Sequence, residues 1–77
     1  MSKNRKYYHI IYLDEYGKPI YNCYYDATIY EVSFKDRVVF ISFKGTKEFM
    51  LVFPLNRIVR IEIQEFTDKE AMKRGVI

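Results

Sequence analysis

Arg37-Val38-Val39-Phe40-Ile41-Ser42-Phe43, Glu48-Phe49-Met50-Leu51-Val52-Phe53 and Ile58-Val59-Arg60-Ile61-Glu62-Ile63 read as three consecutive strands rich in β-branched and aromatic residues. The joints between them, Lys44-Gly45-Thr46-Lys47 and Pro54-Leu55-Asn56-Arg57, are too short for a crossover, so neighbours are expected to run antiparallel as a meander. Side chains alternate faces along a strand, which gathers Val39, Ile41, Phe43, Phe49, Leu51, Phe53, Ile61 and Ile63 on one apolar face, the expected core. The opposite face is not cleanly polar, because Val38, Phe40, Met50, Val52 and Ile58 lie among Ser42, Glu48, Arg60 and Glu62. An antiparallel sheet with one solvated face alternates more strictly. A cover is therefore expected over Phe40 and Met50, supplied by the C-terminal segment or by a second copy of the chain.

Upstream of this stretch, Lys6 to Leu13 predicts a first strand, closed into a hairpin by Asp14-Glu15-Tyr16-Gly17-Lys18. Gly17 supplies the positive φ such a loop needs, and Pro19 sits at a strand start, where its missing N–H is tolerated. From Ile20 to Phe34 a single strand would far outreach its neighbours. The apolar parity slips by one near Asp26 to Thr28, from Tyr21, Cys23, Tyr25 and Ala27 to Tyr30, Val32 and Phe34, which marks a bulge or corner. Lys35-Asp36 then turns the chain tightly into the next strand.

Downstream, Thr67-Asp68-Lys69-Glu70 matches the capping-box pattern and predicts a short helix from Asp68 to Arg74. Phe66 and Ala71 are spaced as a hydrophobic staple, and Gly75 suits the left-handed cap. Too short to stand alone, this helix must dock, with Met72, Val76 and Ile77 as the expected contacts.

The fold class these readings define is all-β: a small five-stranded antiparallel meander, barrel-like or strongly curled, with one short C-terminal helix. Residues 1–77 form one domain, with 1–5 a flexible basic tail, 6–66 the meander and 67–75 the helix. The architecture resembles the small SH3-like and Sm-like barrels. The Asp-x-Met-Asn signature of the Sm family is absent, so the resemblance carries over no functional residue.

A chain of 77 residues buries only roughly 60% of the surface it exposes when unfolded, so association with a partner or a second copy would add stability. The 49% hydrophobic fraction excludes a disordered chain, and no apolar run reaches the length of a membrane span. Met1 to Lys6 is basic, but no apolar region of a secretory signal follows it, and the single cysteine, Cys23, fits a reducing cytoplasm. Phe, Tyr, Met, Ile, Asn and Lys together make 37 of the 77 residues, which hints at an AT-rich genome and a phage-like mobile element.

The aromatics divide the chain. All eight tyrosines, from Tyr7 to Tyr30, precede all six phenylalanines, from Phe34 to Phe66. Tyrosine offers an apolar body with a polar tip, so the N-terminal half is expected to be the working surface. If strand directions alternate without a full reversal near Asp26, Lys3, Arg5, Lys6, Lys35, Arg37 and Arg57 gather at one pole, against Asp36 alone. Cations tracking phosphates beside stacking rings, here Tyr7, Tyr8, Tyr24 and Tyr25, suit single-stranded nucleic acid. The net charge of +3 permits such a partner without requiring one.

Catalysis has weaker support. A first hairpin centred on Tyr16 sets His9 opposite Cys23, the pair needed to make a thiolate nucleophile, but no orienting third residue or oxyanion site accompanies it. One His and one Cys do not make a metal site, Asp14, Glu15 and Asp26 fall at separate corners, and the three glycines are isolated, so no metal, cofactor or phosphate loop is expected. The expected function is a non-enzymatic, cytoplasmic nucleic-acid-binding accessory module. The alternatives are an inhibitor or regulator docking on a host protein through Tyr24, Phe40, Met50 and Val52, and a homo-oligomeric structural subunit.

Overall fold

The computed structural model describes residues 4–46 and 48–75, which form six strands, a single 3-10 turn and one helix. The strands are β1 (Asn4–Leu13), β2 (Pro19–Asp26), β3 (Tyr30–Lys35), β4 (Val38–Phe43), β5 (Phe49–Pro54) and β6 (Ile58–Thr67), followed by α1 (Asp68–Lys73). They make two antiparallel three-stranded sheets, ordered β2-β1-β6 and β3-β4-β5, and no closed barrel forms among the described residues.

Local chemistry sets each joint. Asp14 Oδ1 accepts from the amides of Tyr16 and Lys18, both at 2.8 Å, and Gly17 takes φ +79°, so the first hairpin closes as expected with Leu13 opposite Pro19. At 26–29 the chain turns fully rather than bulging: the Ile29 amide donates to the Asp26 carbonyl at 3.1 Å, and Asp26 Oδ1 accepts from the Thr28 amide and hydroxyl. That turn ends β2 and delivers the chain into the second sheet, which explains the parity slip and makes six strands of the expected five. Pro54 ends β5, and the 3-10 turn Leu55–Arg57 returns the chain to the first sheet.

The expected meander fails at this point. β4 and β5 pair as read, but the ten-residue β6 leaves β5 and lies along the ten-residue β1, from Asn4 opposite Thr67 to Tyr12 opposite Ile58. β1 offers a matching length and a free edge; β5 is only six residues long and ends in a proline that cannot donate to a ladder. Residues 4 and 5, expected in a flexible tail, are the first two of β1. Lys3, Val76, Ile77 and the Phe49 side chain lie outside the described residues.

The central strand β1 buries both faces. On one, Ile10 is fully buried, the Tyr12 ring lies 4.8 Å from Phe53, and Tyr25 of β2 meets Tyr30 at 5.4 Å, which packs the first sheet on the buried Val39 and Ile41 of the second. On the other, Tyr7, Phe66 and Ala71 form a separate apolar cluster under α1, flanked by Tyr24. Ile41 and Val39 thus hold the positions expected of the core face, whereas Phe43, Leu51 and Ile63 are exposed. The helix covers Tyr7 and Phe66 and not Phe40 and Met50, because it continues directly from β6 on the first sheet.

Thr67 caps α1, accepting from the Glu70 amide at 3.2 Å, and Gly75 takes the left-handed cap at φ +74°. Ala71 is the docking contact; Met72, expected to share that role, is 67% exposed. Thr67→Ala is expected to lower stability by about 1 kcal/mol in urea denaturation. A loss in the same range for Met72→Ala would contradict this packing.

Candidate functional site

The end of β1 nearest α1 is an electrostatic clamp. Arg5 Nη1 lies 3.5 Å from Asp26 Oδ2, and Arg5 Nε lies 3.4 Å from Asp68 Oδ1, so one guanidinium ties β1 to the β2 turn and to the helix start. Asp68 Oδ1 makes no hydrogen bond and faces this guanidinium, while the Asp68 side chain as a whole is half-exposed. The Asp26 carboxyl is held below its ordinary range: burial pushes it upward, but the Thr28 hydroxyl and amide and the Arg5 guanidinium outweigh that effect. Tyr7, 1% exposed, reaches the same corner with no hydrogen-bond partner for its hydroxyl, and burial followed by the charge of Asp26 pushes its phenol upward.

A second polar cluster crosses the first sheet. His9 Nε2 lies 2.6 Å from the Tyr21 carbonyl, which only accepts, so Nε2 carries the proton. Nδ1 then accepts from Gln64 Nε2 at 3.1 Å, and the same amide donates to Glu62 Oε1 at 2.6 Å. Donation from Gln64 holds the Glu62 carboxyl below its usual value, against the opposing effect of desolvation, with the Arg60 charge acting in the same direction as Gln64. Tyr21 and Asn22 are the extra residues where the β1–β2 register shifts, so His9 satisfies a carbonyl at an irregularity of the ladder. That shift also separates the expected nucleophile pair. His9 faces Tyr24, stacked at 4.3 Å, while Cys23 faces Ile10 on the other side of the sheet and donates to the Tyr25 hydroxyl at 3.2 Å. Burial, with the Cys23 thiol acting in the same direction, pushes the Tyr25 phenol far upward.

The expected basic pole divides. Arg5 and Lys6 stand opposite Phe66 and Glu65, whereas Arg57 adjoins Ile58, opposite Tyr12, on the order of 20 Å along β1. Lys35, Arg37 and Arg57 do share an end: the Leu55 amide donates to the Arg37 carbonyl at 2.9 Å, and a depression of about 480 Å³ is lined by Arg37, Leu55 and Asn56. The turn between β3 and β4 is Asp36-Arg37, both at positive φ, +53° and +62°. Asp tolerates that conformation, but Arg37 carries a β-carbon strained by roughly 1–2 kcal/mol.

Of the expected stacking rings, Tyr7 is buried in the helix cluster and cannot meet a base, Tyr24 is held between His9 and Phe66, and Tyr25 is turned edge-on to Tyr30 between the sheets. Tyr8 is half-buried. On the second sheet, Met50 and Val52 are exposed, and Phe40 is half-buried opposite Val52. The Arg5 clamp and the His9–Gln64–Glu62 cluster escaped the sequence reading, since both require β6 beside β1. Among the described residues no group of three or more His, Cys, Asp or Glu side chains could hold a metal, and no helix is long and apolar enough to cross a membrane.

Comparison with protein-family models gives no match, and neither the curated proteins nor the solved structures include a significant one.

Two measurements test this geometry. With a lowered folded-state pKa, Asp26 binds fewer protons folded than unfolded, so its stabilisation is present above the ordinary carboxyl value and fades as pH falls through the folded value. Asp26→Ala is expected to cost about 1–3 kcal/mol at neutral pH, with the gap to wild type shrinking below about pH 4; a pH-independent gap contradicts the ionic part. Arg37→Gly is expected to raise stability by about 1 kcal/mol in denaturant titration by relieving the positive φ.

Proposed function

We propose that this chain is a non-enzymatic binding module that docks on a protein partner through its second sheet. The supporting observation is where large apolar side chains stay exposed: Phe34 at 62% and Val52 at 53%, with Phe43, Met50, Leu51 and Leu55, all lie on or beside β3-β4-β5. The register divides them between the two faces of that sheet: Phe34, Phe43 and Leu51 share the face of the buried Val39 and Ile41, whereas Val52 lies on the other face beside Phe40. A regulator acting on a host protein is the form of this reading that also fits the phage-like composition.

Nucleic-acid binding is the second reading, favoured by one observation: Lys35, Arg37 and Arg57 cluster at one end, with Arg37 kept in a strained conformation. Salt separates the two. Phosphate contacts weaken steeply between about 50 and about 200 mM salt, whereas apolar docking resists salt. Fluorescence anisotropy with single-stranded DNA, duplex DNA and RNA is expected to show no such salt-dependent binding. Capture of a protein partner is expected to survive the higher salt and to be lost on Phe34→Asp or Val52→Asp. Tight low-salt nucleic-acid binding that Arg37→Ala with Arg57→Ala abolishes would replace the first reading by the second.

A further inference from the structure

His9 is the chain's single histidine, 8% exposed, with both ring nitrogens engaged. The Tyr21 carbonyl fixes the neutral tautomer with its proton on Nε2 and leaves Nδ1 as an acceptor. The Gln64 amide nitrogen therefore stands between two acceptors, Nδ1 at 3.1 Å and Glu62 Oε1 at 2.6 Å, and gives one of its two protons to each. Nδ1 and that carboxylate oxygen are themselves 3.5 Å apart. This arrangement is satisfied in one charge state only. A proton added at Nδ1 would meet the Gln64 amide donor to donor, and turning the amide over would set its oxygen against the Glu62 carboxylate instead. Among the described residues, the acceptor at hand for an Nδ1 proton is Glu62, in a charge-assisted bond.

We infer that His9 is a proton-operated exchange between two β6 side chains: neutral, it is held by Gln64; protonated, it donates to Glu62 and the Gln64 amide withdraws. The Tyr21 carbonyl keeps its bond in both states, because Nε2 carries a proton in each. The irregularity of the β1–β2 ladder is thus held while the side-chain contact between β1 and β6 changes. The charged groups around the ring suit this exchange. From β6 come Glu62 and Arg60, whose Nη1 lies 3.9 Å from Glu62 Oε2, the oxygen that Gln64 does not use. From β2, Tyr24 lies flat on the imidazole, 4.3 Å between centroids and 6° between planes, and the face of its ring attracts a cation. Along β1 the next side chain on this face is Tyr7, with Arg5 and Asp26 paired beyond it, and from α1 Arg74 lies over the Phe66 ring at 4.8 Å. Glu62, held below the usual carboxyl value, stays ionised through the range near neutrality where an imidazole changes charge.

Proton–nitrogen NMR of the full wild-type chain, titrated from about pH 8 to about pH 5, tests this across the range where imidazole changes charge. At the upper end His9 is expected as the Nε2–H tautomer, and the Gln64 side-chain amide signals are expected to move in step with the His9 ring as it takes up its second proton. Urea unfolding gives an independent readout. Glu62→Gln is expected to raise the unfolding constant, relative to wild type, roughly three- to fivefold more at about pH 5.5 than at about pH 8, the size of a partly exposed ion pair made only by the charged ring. The same substitution in a His9→Gln background is expected to show no such growth. Gln64 amide signals that stay in place while His9 titrates, a ring that stays neutral to the point of acid unfolding, or a Glu62→Gln effect that does not change with pH overturns the inference. The NMR titration uses the unaltered chain, so it decides the matter even where Glu62→Gln does not fold.

Discussion

The pairing of β1 with β6 is the constraint on which the rest of the molecule depends. It joins residues at the two ends of the described chain, and everything between them becomes a pair of excursions, out through β2 to the second sheet and back through the 3-10 turn. Closing so long a loop has an entropic cost, though one that grows only slowly with length. What repays it is a ladder running the whole length of two ten-residue strands, together with the buried Ile10 and Tyr7 that β1 contributes to opposite faces.

That pairing explains the uses to which the tyrosines are put. β1 and β2 carry most of them, and because β1 is the central strand of its sheet, their rings are drawn inside rather than displayed. Tyr7 fills the space under α1, Tyr12 and Tyr25 fill the space between the sheets, and Tyr24 stacks on His9. A ring with a polar tip suits such positions in a molecule this thin, since its hydroxyl is never far from a boundary. Tyr16 and Tyr21 are the exceptions, at the hairpin tip and on the outer strand.

The elements whose information is local were legible in the sequence. Asp14 and Gly17 specified the first hairpin, the parity slip located the break at Asp26, and Thr67 with Glu70 located the helix start, because in each case the deciding bonds join residues within four positions of one another. The partner of β6 was not legible. Alternation identifies a strand and its two faces but is silent on which edge it will choose, and β5 and β1 were both open to it. The candidate sites inherited that silence. Placing Arg5 with Arg57 required knowing which end of the sheet each occupies, and placing His9 against Cys23 required a register that one irregularity at Tyr21 and Asn22 moves by a residue.

The uneven burial of the two sheets follows from the same topology. α1 is attached to β6, so the one element available as a lid lies on the first sheet, where Ala71 seals Tyr7 and Phe66. The second sheet contributes Val39 and Ile41 to the interior but has nothing comparable over Val52 or beside Phe34 among the described residues. Among the described residues, the segments after β5 are used in the 3-10 turn, β6 and α1. Part of that surface is used by the fold itself, since Phe43 stacks on Tyr30 at 5.1 Å. With α1 on the first sheet, Phe34 and Val52 of the second stay more than half exposed.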